Sequence, residues 1–208
     1  IIAIAGRLGI KLPLEGFDQI SQSTPFLLNV RPSGAYQMEE YFEAGGVPAL
    51  MKELEPLLHK DCITVTGKTV GENLHNVRTG DRKVISPLVE PLSQQGGIAV
   101  LRGNLAPDGA LIKQTAVSEH LKRHKGKAVV FESPLDLEQR IDDPELDVDE
   151  NSVLVLKNGG PKGAPAMPEI GQLPIPKKLL AKGVRDMVRI SDARISGTSY
   201  GALIVHVA

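Results

Sequence analysis

The spacing of apolar residues changes once along this chain, and that change limits what it can fold into. Up to about residue 75, apolar side chains recur three or four positions apart. Ile1, Ile4, Ala5 and Leu8 form one such set, and Leu14, Phe17 and Ile20 another. Val47, Leu50, Met51, Leu54 and Leu58 form a third, with Pro48 near its start. Such spacing lines one face of a helix. The stretch Tyr36–Ala44 reads as a further short helix, stopped by Gly45-Gly46. Beyond residue 97 the apolar residues come in short runs instead: Ile98–Leu101, Leu111–Val117, Ala128–Phe131, Val153–Leu156, Met187–Ile190 and a closing run from Ala202 to Ala208. These read as strands. Between the two regimes, residues 76–96 are polar and carry Gly80, Pro87, Pro91 and Gly96, which suggests a linker.

Local signals give the second half an order. Asn104–Gly109 reads as a turn between two strands. Ser133 is suited to cap a helix that starts with Pro134 and runs to about Ile141. That helix lies between two strand runs, the pattern of a parallel crossover. Another helix is expected at about 177–182. With 21 Gly and 15 Pro among 208 residues, a bundle of long helices is disfavoured, and with no Trp the core must be aliphatic. The expected class is α/β.

Charge and cysteine content narrow the function. Lys and Arg number 24 against 25 Asp and Glu, a net charge of −1. A general nucleic-acid binder carries a basic excess, so nucleic acid is not an expected partner. No apolar run approaches the roughly 18 residues of a membrane span, so a membrane is not expected either. One Cys allows no internal disulfide and cannot by itself hold an iron–sulfur cluster or a Cys-rich zinc site. A cytoplasmic protein is the simplest expectation. Both ends are apolar where termini are usually polar, which suggests a slice of a longer chain.

Two loops stand out chemically. Asn158–Glu169 follows a strand run and is rich in Gly and Pro, so backbone N–H groups are available to a ligand. Lys162 adds a positive charge, and Glu169 could ligate a metal or act as a base. The loop could equally be a tight structural turn. Ser191–Gly201 places five hydroxyl residues between two apolar runs. Loops at strand ends often carry chemistry on α/β scaffolds. Its hydroxyls could bind an anion or supply a base, or simply cap the turn, with Asp192 and Arg194 as a local ion pair. Cys62 is expected to be a small buried hydrophobe. His120 and His124 sit among Lys122, Arg123, Lys125 and Lys127 and read as a solvated basic face rather than a metal site.

Together these segments resemble one family. Ser191-Asp192-Ala193-Arg194-Ile195-Ser196-Gly197-Thr198 resembles the C-terminal signature of the dihydroxy-acid and phosphogluconate dehydratases. Asp61-Cys62-Ile63-Thr64-Val65-Thr66-Gly67-Lys68-Thr69 resembles another of its segments. Asn29–Gly34, Gly45–Pro48, and Gly160–Gly163 through Met167–Glu169 fit the same template in the same order. The Ser-Asp-Ala-Arg form and Leu173–Leu179 look more like the sugar-acid branch. Ala166 departs from the family pattern, which usually has Gly before Met-Pro-Glu.

The resemblance implies a fold, a reaction and roles. The fold would be the tail of a three-layer α/β domain, residues 1–90 with the linker, then most of a smaller swivelling β/α domain, residues 91–208, truncated at its C-terminus. The reaction would be loss of water from a 2,3-dihydroxy aldonic acid such as arabinonate or xylonate, giving a 2-keto-3-deoxy acid. An iron–sulfur cluster would act as Lewis acid and Mg²⁺ would bind the substrate. Glu169 matches a Mg²⁺ ligand, Ser196 the base, and Thr198 a residue that binds substrate or orients that base. Lys162 and Arg194 would help bind the acid. The resemblance places no cluster ligand in this chain, and Cys62 matches none. The chain alone would then be inactive, and the full-length protein would be a homo-oligomer, a dimer or a tetramer. A branched-chain dihydroxy-acid dehydratase is the first alternative, and a non-catalytic anion-binding domain the second.

Overall fold

The structure is a computed structural model that describes residues 1–163, 173–196 and 199–208. The described residues divide into two compact units, one made of Ile1–Gln19 with Gly97–Ala208 and the other of Ile20–Gly96.

The larger unit is built on a six-stranded sheet, confirming the α/β class. In chain order the strands are β1 (Ile98–Gly103), β2 (Ala106–Lys113), β3 (Ala128–Phe131), β4 (Val153–Leu156), β5 (Arg189–Ser191) and β6 (Leu203–Val205). Their order across the sheet is β1-β2-β6-β5-β4-β3. The β1–β2 and β2–β6 pairs are antiparallel, and β6, β5, β4 and β3 run parallel. The expected crossover is present: β3 and β4 pair in parallel from Ala128↔Val153 to Phe131↔Leu156.

Among the described residues the α-helices are α1 (Ile2–Arg7), α2 (Leu14–Ser23), α3 (Met38–Glu43), α4 (Gly46–Glu53), α5 (Val70–Leu74), α6 (Pro134–Arg140) and α7 (Lys177–Leu180). The hydroxyl of Ser133 accepts the Asp136 N–H at 3.2 Å, capping α6 as its sequence suggests. Period-two alternation sorts the strand residues into two apolar clusters. Val129, Phe131, Leu154 and Leu156 pack with Leu137 and Ile141 of the α6 region and with Leu173, Ile175, Leu179 and Met187. The alternate residues Val153, Val188, Ile190 and Ile204 join Val117, Leu121 and Ala202 in a second cluster. Residues 1–19 belong with this sheet for a polar reason. Asp18 accepts the Val100 N–H of β1 at 3.0 Å, and Glu15 pairs with Arg102.

The smaller unit buries Val30, Tyr41, Ala44, Ala49, Val84 and Ile85 together. Residues 76–96 are therefore no free linker. Ile85 is fully buried, and this strip hydrogen-bonds along Leu27–Asn29: Asn29 N–H to Val84 O at 2.9 Å and Ser86 N–H to Leu27 O at 2.8 Å. A polar strip with two adjacent apolar residues is enough to complete a small core. Two further expectations are corrected. The β1–β2 turn is confined to Asn104–Leu105, because pairing closes at Gly103↔Ala106, and β2 then ends at Lys113 instead of Val117. Cys62 is exposed rather than buried, on a turn closed by the Ile63↔Thr69 bridge.

Candidate functional site

Parallel pairing places the starts of the two unusual loops side by side. Leu156 at the end of β4 pairs with Ser191 at the end of β5, so the chain after each leaves the same edge of the sheet. In open parallel sheets this end is where ligands bind.

Asp192 joins the loops. Its Oδ1 accepts the Gly159 N–H at 3.0 Å and its Oδ2 the Gly160 N–H at 3.1 Å. Hydrogen bonds to an ionised carboxylate are among the stronger ones in proteins. The approach is close: a Cβ at Gly160 would lie 2.8 Å from the Asp192 carbonyl oxygen. The Ser191 hydroxyl accepts the Ala193 N–H at 3.0 Å and tightens the same turn. A third loop adds to this edge. Asn158, held at a positive φ of 56°, donates from its side chain to the Glu132 carbonyl at 2.9 Å, and Lys157 pairs with the Glu132 carboxylate at 2.5 Å. After β6 the chain returns to the same place, with His206 N–H on Ala193 O at 3.1 Å and Val207 N–H on Ser191 O at 3.2 Å.

The expected site residues fall as follows. Lys162 is exposed on the first loop. Arg194 is exposed and Ser196 half-buried on the second. Arg194 lies near enough to His206 that its charge, together with burial as the larger cause, lowers the His206 pKa. The Ser196 carbonyl accepts the Ser199 N–H at 3.0 Å. Glu169 and Thr198 lie outside the described residues. Asp192 serves the loop–loop junction, a wider role than a local partner for Arg194.

Two residues escaped the sequence reading. Asp186 and Arg189 are 7% and 8% exposed, with 3.7 Å between Asp186 Oδ1 and Arg189 Nη2. Burial lowers the Arg189 pKa, partly opposed by the Asp186 charge. Asp186 accepts the Ala202 N–H at 2.9 Å and the Ser118 N–H at 3.1 Å. Arg189 donates to the Tyr200 carbonyl at 2.7 Å and to the Leu173 carbonyl at 3.1 Å. Between Tyr200 and Ala202 sits Gly201, at φ 104°, where a Cβ would fall 2.1 Å from Asp186 Oδ1. The signal available in the sequence was two opposite charges in and beside an otherwise apolar strand run. Arg189 also lines a cavity of about 240 Å³ with Leu173, Ile175, Arg185, Ile195 and Ser199. The Ser199 hydroxyl is buried and has no hydrogen-bond partner among the described residues.

For metal chemistry the described residues offer little on their own. Among them no three His, Cys, Asp or Glu side chains gather to hold an ion, and Cys62 is a single exposed thiol. His124 instead contacts the Asn151 carbonyl at 2.8 Å, and His120 is exposed. Among the described residues no helix is long and apolar enough to cross a membrane.

Comparison with known proteins places these loops in context. The profile of the dihydroxy-acid/6-phosphogluconate dehydratase C-terminal domain matches residues 83–208, and that of the N-terminal domain matches residues 1–73. An L-arabinonate dehydratase from Rhizobium leguminosarum bv. trifolii is 50% identical over 210 residues, covering 100% of this chain and 36% of the relative. A 6-deoxy-6-sulfo-D-gluconate dehydratase from Pseudomonas putida is 48% identical over 211 residues, with 100% and 36% covered. A dihydroxy-acid dehydratase from Caldicellulosiruptor saccharolyticus is 43% identical over 209 residues, with 99% and 37% covered. The chain thus spans little more than a third of the length of these relatives.

Proposed function

Because the chain belongs to the dihydroxy-acid/6-phosphogluconate dehydratase family, we propose that the full-length protein is a hydro-lyase for a 2,3-dihydroxy aldonic acid. In the proposed reaction the ionised Ser196 hydroxyl takes the proton from C2, the C3 hydroxyl leaves and is protonated to water at the expense of that proton, and the enol shifts its hydroxyl proton to C3 to give a 2-keto-3-deoxy acid. Thr198 hydrogen-bonds the substrate or orients Ser196, and Lys162 and Arg194 attract the carboxylate. The observation that carries this reading is the Asp192 junction, which holds the Gly-rich loop and the loop bearing Ser196 together at one edge of the sheet. Sugar-acid names among the similar relatives favour an aldonate; a branched-chain dihydroxy acid is the second substrate reading, supported by the 43% identity to a dihydroxy-acid dehydratase.

The described residues do not by themselves fit either an iron–sulfur cluster or a Mg²⁺ ion. The proposed ligand set therefore draws on the rest of the protein, with Glu169 as this chain's carboxylate for Mg²⁺. Hard oxygen donors suit that ion. When bound, the two groups would polarise the leaving hydroxyl and the substrate oxygens. The division into residues 1–90 and 91–208 as parts of two family domains, a cytoplasmic setting and a dimeric or tetrameric assembly complete the proposal.

Replacing Ser196 with Ala in the full-length protein is expected to lower kcat on the order of 10²-fold or more, the scale of a positioned acid–base group. Turnover left intact by S196A would favour a non-catalytic anion-binding role for these loops. Comparing L-arabinonate with 2,3-dihydroxyisovalerate as substrates separates the two dehydratase readings.

A further inference from the structure

We infer that Arg189 is a positioning residue, setting the backbone that flanks both segments of the proposed site. The inference rests on the dehydratase reading of Glu169, Ser196 and Thr198. Leu173 follows Glu169 by four positions and Tyr200 follows Thr198 by two. One guanidinium holds both: Nη1 donates to the Leu173 carbonyl at 3.1 Å and Nη2 to the Tyr200 carbonyl at 2.7 Å. A third donor, Nε, reaches the Met187 carbonyl at 3.4 Å.

The geometry leaves little slack. A guanidinium presents its donors in a rigid planar fork, so fixing one acceptor constrains the direction of the other. Asp186 Oδ1 lies 3.7 Å from Nη2 of the fork and accepts the Ala202 N–H, just past Gly201, at 2.9 Å. Gly201 passes so close that a Cβ there would sit 2.7 Å from Arg189 Nη2. Arg189 is only 8% exposed, so its guanidinium is largely withdrawn from water, and in such surroundings its hydrogen bonds gain strength. Just after β5, Asp192 in turn accepts the Gly159 and Gly160 N–H groups. Ser196 thus lies in sequence between two held points, Asp192 and Tyr200. Lys at position 189 would keep the charge but lose the fork, and so could serve one carbonyl well and not both.

The test uses the full-length holoenzyme with Arg189→Lys and Arg189→Met. It measures kcat and KM on L-arabinonate and on 2,3-dihydroxyisovalerate, together with amide hydrogen exchange by mass spectrometry. A displaced reacting group costs rate more than ground-state binding, so R189K is expected to lower kcat about tenfold or more with KM nearly unchanged. The amides of Leu173 and Ile175 and those at 199–203 are expected to exchange faster together, while those of β3 and β4 keep their protection. A merely structural ion pair would loosen the whole sheet, and that result overturns the inference. So does wild-type kcat in R189K, or faster exchange in only one of the two segments. If R189M does not fold, R189K decides. Should the wild-type enzyme dehydrate neither probe, those two substrates are excluded, and the exchange pattern alone decides whether Arg189 holds both segments.

Discussion

His206 shows how one side chain at this sheet edge links protonation to stability. It adopts a positive φ of 53°, and its backbone N–H is bound to Ala193. Burial, with the Arg194 charge as the smaller cause, lowers its pKa from the ordinary value of about 6.5. The sign follows from proton counting. Below that ordinary value the unfolded chain binds more protons at this site than the folded one, so stability falls as the pH is lowered. His206→Asn, which tolerates positive φ, is expected to flatten the decline. Urea midpoints at pH 7.5 and 5.5 for the two proteins would measure it, and equal pH slopes would argue against His206 as the source.

At the scale of elements, α6 is the simplest to perturb. Ser133 caps it through the Asp136 N–H, so Ser133→Ala is expected to cost about 1 kcal/mol in denaturant unfolding. This helix and its flanking strands were legible in the sequence because their signals are local: a cap, a Pro at the first turn, and two runs of β-branched and aromatic residues. The start of β2 was not legible. Pro107, Asp108 and Gly109 carry turn chemistry, yet the Gly103↔Ala106 pairing to β1 draws them into the strand. The burial of Val84 and Ile85 was hidden for a related reason, since their partners at Leu27–Asn29 are remote in sequence. The candidate site divides in the same way. Its two loops were visible from Gly, Pro and hydroxyl content, which composition records. The Asp192 junction and the Asp186–Arg189 pair depend on which strands become neighbours, and no local pattern records that.

At the scale of the molecule, each unit has a core of its own. Within residues 20–96, Ile85→Ala is expected to cost about 2–5 kcal/mol and to speed amide exchange at Leu27–Val30, where the Ile85 strip is hydrogen-bonded. Unchanged exchange there would show that the strip contributes little to that core. Ionic strength should act unevenly across the chain. Exposed pairs such as Lys122–Glu119 and Lys127–Asp147 face solvent and are screened within about 10 Å at 0.1 M salt. The Arg189 guanidinium is shielded from those counterions by the backbone it binds. A rise in salt would therefore strip attraction from the protein's outer faces while leaving the Leu173 and Tyr200 carbonyls held by Arg189 as firmly as before.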